Sequence, residues 1–509
     1  MFKKCEHCVD DRNFIKKSVT KLQEITMKRF LGELSILHQQ EIEEIHRTSM
    51  RILREIGMHI PDKDILRLLE ENGATVDRQR MIVKISESMV ERALVGIKKD
   101  FKEAAAYFGR HLELGKGEFI LWMCSMPEVI DLTQNKKRRG THEDMMKGIT
   151  VGNVLKNVGV IEPHGIPGEA PPHAADVYCY RYLYAYSLKP CSTWIYSDRT
   201  AEYIVEMAKV IAGERDENYL PLFYFAETVS PLRYAEHTIK IMKRMAANKV
   251  PIYIGPLVTA GGSGPVTLAG TIALANAEVL SGIILVWLLN PEQALVYPGL
   301  SSILDLRNAL ISYGSPEQAL LSIAAVQMAK YYGMGCCCNV HLSDSNLCDF
   351  QRGYEAAATA AFALASGVEM LGIVGYAAAG FLCCNPGCQS LEQLIIDDEC
   401  AEYMKRILRG FEVNDVTLAF DVIREVGIGG TFIDSDHTVR FMRKEHYFPQ
   451  LLNRDSYEVW QHKGRLSIAD RARIRLLEIL NEHYPPDPVI DSKTDKELNL
   501  ILKRAISDD

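Results

Sequence analysis

The run Gly333-Met-Gly-Cys-Cys-Cys-Asn-Val-His-Leu-Ser-Asp-Ser345 passes abruptly from small, apolar residues to side chains that hydrogen-bond and ionise. Imidazole exchanges protons near neutral pH, and a carboxylate accepts hydrogen bonds or carries charge. His341 and Asp344 are therefore predicted catalytic residues, with Ser343 beside them. For His341 a second reading, a satisfied structural histidine, stands level with the first.

The same position, at the carboxyl end of a predicted strand, recurs along the chain and collects Glu162, His164, Trp194, Tyr196, Glu227, Tyr297 and Tyr376. Phe223, Phe225 and Tyr253 lie on the predicted strands themselves. Aromatic faces attract ammonium groups, so the set suits a cation better than a phosphate. Glu227 is the third catalytic candidate. His164, Trp194, Phe223, Tyr253, Tyr297 and Tyr376 are the candidate substrate-binding residues, although any one aromatic could equally pack between sheet and helices.

The elements that must position these residues alternate. Strands are predicted at Phe119–Met123, Gly159–Pro163, Pro190–Ile195, Pro221–Ala226, Pro251–Gly255, Ala294–Tyr297, Gly335–Val340 and Val368–Val374, with helical patterns between them. Ser315 can cap and Pro316 open a helix over 317–332 that Gly333 ends, and 349–364 reads as the next helix. Eight strands with long crossovers predict a (β/α)8 TIM barrel, whose chemistry sits at the strand carboxyl ends. A doubly wound sheet is the alternative, but no Gly-x-Gly-x-x-Gly turn follows a first strand. Residues 1–115 are predicted to form a mainly helical front, 116–410 the barrel, and 411–509 a helical extension.

The chain has 509 residues, 47% hydrophobic and 24% charged, and a net charge of −8, which is ordinary soluble composition without the basic excess that nucleic acid or an anionic membrane requires. Two apolar stretches, 266–289 and 356–382, are interrupted by Asn276 and Glu278 and by Glu369 and read as buried elements rather than membrane spans. Thirteen cysteines, an odd number with three in a row, do not form a disulfide framework, and a cytoplasmic location is expected. Cys5 and Cys8 are a lone pair. Cys336–Cys338 together with Cys383, Cys384 and Cys388 would offer a thiolate zinc site if the chain folded them onto one another.

Several motifs occur in order along nearly the whole chain: Gly264-Pro-Val-Thr-Leu-Ala-Gly270, Asn276-Ala-Glu-Val-Leu280, Asp305-Leu-Arg307, Gly314-Ser-Pro-Glu317, Ser343-Asp-Ser345, Ser390-Leu-Glu-Gln-Leu-Ile-Ile-Asp-Asp-Glu399 and His437-Thr-x-x-x-Phe-Met-Arg-Lys-Glu445. With these the sequence resembles the trimethylamine methyltransferase (MttB) superfamily. The resemblance implies a barrel enzyme that moves a methyl group from a methylated amine to the cobalt(I) of a separate corrinoid protein, with no tightly bound cofactor of its own. Assembly as a homo-oligomer is also expected. Archaeal trimethylamine enzymes of the family carry pyrrolysine on the strand matching 336–345, whereas this chain has standard residues there and Asn346-Leu-Cys-Asp349 in place of a Lys-x-x-Asp run. It therefore resembles the members acting on glycine betaine and related quaternary amines. A betaine carboxylate would need a cationic or hydrogen-bonding anchor, for which His341, His164 and Arg307 are candidates. A thiolate-zinc methyltransferase and a non-catalytic quaternary-amine binder are the alternatives from other classes.

Overall fold

The structure, a computed structural model, describes residues 34–99, 119–123, 125–131, 136–213, 220–293, 295–368, 370–371, 381–382 and 388–508. At the front, Gln39–Arg51 buries Ile42, Ile45 and Met50 on one face, and a π-turn over Ile52–Ile56 carries the chain to Gly57, whose φ of 88° no β-carbon tolerates easily. A β-carbon on Gly57 would also meet the Val83 carbonyl oxygen, so the residue is fixed by space as well as by angle. Lys63–Glu71 follows, capped by Asp62, and the short strands Met58–His59, Ile82–Lys84 and Thr75–Asp77 form a three-stranded sheet beside it.

The larger sheet is parallel. Tyr297–Gly299, Cys336–Cys338, Met370–Leu371, Ile120–Trp122 and Val158–Val160 lie side by side in that order, and Ile161 bridges onward to Cys191. Tyr224–Ala226 and Ile252–Ile254 form a separate parallel pair. Seven of the eight predicted strands are thus present as short ladders, the sixth lying a little later than predicted, while the 190–195 segment contributes a single bridge. The described residues show no ladder pairing between Cys191 and Tyr224–Ala226, or between Ile252–Ile254 and Tyr297–Gly299. Helices separate the strands, as the long crossovers of parallel pairing require.

Two of those helices follow their sequence signals closely. Pro316–Tyr332 begins at Ser315, whose hydroxyl accepts from the Gln318 N–H, and ends at Gly333 in the left-handed region. Phe350–Ser366 begins at Asp349, which accepts from the Arg352 N–H, and ends at Gly367. The apolar stretch near 268 is one helix, Leu268–Leu289, long and apolar enough to cross a membrane, yet 78% of its apolar window is buried against the rest of the chain. Its two polar interruptions are partnered inside the protein: Asn276 bonds Ser49, Tyr332 and Tyr297, and Glu278 accepts from Thr228, Ser230 and Leu232. Buried polar groups paired in this way remove most of the cost of their desolvation.

Beyond the last strand, Leu391–Leu408 packs against Ile468–His483, which also lies on His142–Val154. Ser492–Ser507 lies on Ala175–Tyr186 and Asp198–Ala212, with Arg181 paired to Asp495 at 2.6 Å. These tail helices brace the outside of the parallel layer.

Candidate active site

Side chains alternate along a strand, so each strand sends one set toward the helices and the other toward the opposite strands. Trp122, Phe223, Tyr253, Val296 and Cys337 form a separate apolar cluster on the inner side, with Trp194 and Phe225 packed against it. Trp122 meets Phe223 edge-on at 5.0 Å between centroids, Phe223 meets Tyr253 at 5.6 Å, and Trp194 meets Phe225 at 6.3 Å.

At the carboxyl ends of the strands this cluster opens into a cavity of about 270 Å³. Trp122, Trp194, Phe223 and Phe225 give it aromatic walls, and its polar lining includes Glu162, Ser192, Thr228, Glu227 and His237. No Lys or Arg lines it among the described residues. A larger adjoining cavity of about 470 Å³ shares Trp194 and is lined by Arg139 and Tyr196.

Glu162 is buried between two donors. The Trp122 indole N–H donates to Oε1 at 2.8 Å and the Ser192 hydroxyl to the same oxygen at 2.9 Å, while Oε2 has no hydrogen-bond partner among the described residues. Burial pushes the carboxyl up to about 8, and the two donors only partly offset it. Since Oε1 already accepts twice, a proton on this group belongs on Oε2. Glu227 is raised to about 7 by burial alone. Its loop is held from behind, because Glu278 collects the Thr228 and Ser230 hydroxyls and the Leu232 N–H.

A family model described as trimethylamine methyltransferase (MTTB) matches residues 10–507. The chain belongs to this family. The glycine betaine methyltransferase of Desulfitobacterium hafniense strain Y51 is 31% identical over 486 residues, covering 92% of this chain and 97% of its own. The trimethylamine methyltransferase MttB of D. hafniense strain DSM 10664 / DCB-2 is 26% identical over 453 residues, 88% of this chain and 90% of its own. Among solved structures, the monomethylamine methyltransferase of Methanosarcina barkeri covers 90% of this chain and 97% of its own at 13% identity, with a TM-score of 0.44. By family, this MTTB-type chain is a methyltransferase.

Of the residues singled out in this MTTB sequence, Trp194, Phe223 and Glu227 come together at the cavity and Tyr253 supports Phe223 from behind. Tyr376 lies outside the described residues. Tyr297, expected in the pocket, lies on the opposite side of its strand: its hydroxyl donates to Asn276 at 2.9 Å and its ring stacks on Tyr332, because alternation turns Val296 inward and Tyr297 toward the helices. Arg307, considered as a carboxylate anchor, is instead an exposed residue of a hairpin turn, bonded to Asp305 two residues before it. His164 is buried beneath the rim, where desolvation lowers its pKa to about 4 and keeps the ring neutral, so it offers no cation to a carboxylate.

His341 and Asp344 form a second cluster at the end of Cys336–Cys338, apart from the cavity lining. His341 adopts a φ of 64°, unusual for a residue with a β-carbon, and its Nε2 meets Asp397 Oδ1 at 3.1 Å. Arg352 reaches the same oxygen at 3.1 Å and Gln393 at 2.8 Å. Asp344 accepts from the Ser312 hydroxyl and the Tyr313 N–H, and donates its own N–H to Glu355. Both expected catalytic side chains are thus engaged in ties between loops and helices, with only His341 Nδ1 left unbonded among the described residues.

The cysteine row divides between the two faces of its strand. Cys336 and Cys338 approach each other to 3.7 Å on the helix side, and Cys337 belongs to the inner aromatic cluster. The period-two geometry therefore prevents three neighbouring thiolates from converging on one ion. Cys383 and Cys384 lie outside the described residues.

Sequence reasoning placed Glu162 on the rim without giving it a role, and passed over Trp122, Ser192, Thr228 and His237. Trp122 was within reach of the same argument, since it lies near the carboxyl end of the predicted strand Phe119–Met123. His237 lies at the start of the helix Glu236–Ala247 and carries no signal of its own.

Proposed function

We propose that the chain moves a methyl group from a quaternary amine, glycine betaine or a related betaine, to the cobalt(I) of a separate corrinoid protein that docks at the strand carboxyl ends. In this reading the parallel strands close as a (β/α)8 barrel, carried by a helical front over 1–115 and followed by the extension 411–509, in the cytoplasm. The observation that carries it is the cavity itself: aromatic walls around a buried carboxyl with one oxygen unclaimed. Family membership and the 31% identity to a glycine betaine methyltransferase support the same reaction class.

The chemistry needs little from the protein beyond binding. The cobalt(I) electron pair attacks the methyl carbon in line, the carbon–nitrogen bond breaks with its pair on nitrogen, and a neutral tertiary amine leaves, so no proton has to be delivered. The aromatic walls hold the ammonium and exclude water, and ionised Glu162 and Glu227 favour a positive charge over a neutral amine. His237 at the lining and Arg139 in the adjoining cavity are hydrogen-bonding groups available to a betaine carboxylate, whereas the Ser192 and Thr228 hydroxyl protons are already given to Glu162 and Glu278. Glu278 acts as a positioning residue through the loop that carries Glu227.

The test is methyl transfer to free cob(I)alamin followed by absorbance. Glycine betaine or another carboxylated quaternary amine from a panel including carnitine, proline betaine, butyrobetaine and choline is expected to react, and trimethylamine is not. Turnover of trimethylamine, or of no quaternary amine, overturns the proposal.

A further inference from the structure

Glu227 stands just past the strand Tyr224–Ala226, at the lining of the cavity of about 270 Å³. Its carboxyl makes no hydrogen bond and no ion pair among the described residues, and burial is the sole cause that raises it to about 7. At the same lining, the Ser192 and Thr228 hydroxyl protons go to Glu162 and Glu278, and His237 makes no bond to Glu227. Glu162 has an unclaimed oxygen too, but that residue is 5% exposed, whereas Glu227 is only part-buried and is the carboxyl a guest can touch. Its place is fixed, because Glu278 anchors the neighbouring Thr228 and Ser230. Polar groups enclosed by protein are nearly all paired, so an acceptor held in position without a donor calls for an explanation.

A quaternary ammonium does not supply that donor, because it has no N–H. The amine it becomes does. Resting on the reaction proposed above, we propose that Glu227 is the acceptor for the demethylated product, a tertiary ammonium whose single N–H it takes while the aromatic walls hold the remaining alkyl groups. When cobalt(I) takes the methyl carbon, the pair of the broken carbon–nitrogen bond stays on nitrogen. That pair then takes a proton from buffered water, and the new N–H donates to the Glu227 carboxylate. Substrate and product carry the same charge and meet the same aromatic faces, so the N–H is what separates them. A hydrogen bond between charged partners is about twice as strong as a neutral one. The cavity therefore holds the product more tightly than the substrate, and the tertiary amine is a competitive inhibitor of its own formation.

The experiment is titration calorimetry of the full chain with tetramethylammonium and trimethylammonium chlorides, the simplest quaternary and tertiary pair. It is run at about pH 8, where Glu227 is mostly ionised and an alkylamine is protonated. The wild type is expected to bind trimethylammonium about 10-fold or more tighter than tetramethylammonium, as a hydrogen bond to a charged group allows. Glu227→Met, which breaks no described hydrogen bond, is expected to bring the two affinities together, with circular dichroism checking the fold. Glu227→Gln, which keeps a neutral acceptor, gives a ratio between these two, and Glu162→Gln keeps the wild-type ratio because it weakens both cations alike. Equal affinities in the wild type, or a preference that survives Glu227→Met, overturn the inference and leave the aromatic cage standing. A preference lost in Glu162→Gln and kept in Glu227→Met moves the acceptor to Glu162 and overturns it as well. If neither cation binds, the cage of the proposed reaction fails and the inference falls with it.

Discussion

Trp122 donates its indole N–H to Glu162 Oε1 at 2.8 Å, and that one bond joins the end of the first parallel strand to the residue just past the second. It fixes which carboxyl oxygen is engaged. The free oxygen is a hydrogen-bond donor when protonated and a counter-charge when ionised, and a quaternary ammonium selects the ionised form.

The binding of a quaternary amine is therefore expected to tighten as pH rises through about 8, where burial has placed Glu162. KM measured across that range should fall, and Glu162→Gln should flatten the profile. A KM that rises instead would put the substrate's carboxylate, rather than its ammonium, at Glu162.

Stability carries the opposite sign. A carboxyl raised in the folded state contributes stability that is present below its unfolded pKa and is lost as pH rises through about 8. Glu162→Gln removes that loss, so the melting temperature of the variant is expected to gain on the wild type on moving from about pH 5 to about pH 9. Parallel melting curves at both pH values would show that the Glu162 carboxyl titrates in the folded chain as it does in the unfolded one.

The aromatic walls are tested by truncation. Phe223→Ala is expected to raise KM for the amine roughly 2- to 30-fold, the equivalent of about 0.5–2 kcal/mol of cation–π attraction, with a smaller effect on kcat. An equal loss in kcat with KM unchanged would mean that the ring matters only in the transition state.

Glu278→Ala leaves the Thr228 and Ser230 hydroxyls and the Leu232 N–H without their acceptor. A cost of about 1–3 kcal/mol in stability is expected, together with a fall in kcat/KM because Glu227 loses its support. Calorimetry and steady-state kinetics on one preparation check both halves.

Arg352→Met strips a buried cation from Asp397, leaving the carboxylate to His341 and Gln393. Removing one member of a buried pair costs about 3–5 kcal/mol, read as a lowered melting temperature. His341→Ala is expected to lower the rate as well. Normal kinetics in that variant would make the imidazole a purely architectural group.

The order of elements was legible because helix caps and strand patterns are local: Ser315 with Pro316, Asp349, and the terminating Gly333 act within a few residues of themselves. Facing direction was not. Tyr297 and Phe223 have the same kind of side chain at the same kind of position, and one residue of register sends the first to the helices and the second to the cavity. His341 drew attention for its chemistry, yet partners 11 and 56 residues away decide how it is tied down, and no spacing rule reaches that far. Glu162 has the reverse history, a plain rim carboxyl until Trp122, 40 residues upstream, is seen beside it.

Trp194 borders both cavities, one of about 270 Å³ and the other of about 470 Å³. A single indole is then the partition between two rooms, and its size sets the length of molecule that fits without moving a wall. Replacing it with a small residue joins the rooms end to end and places Arg139 in the same space as Glu162. Lineages that differ at this one position would differ in how long a chain they admit behind the methylated nitrogen, with the rest of the fold untouched.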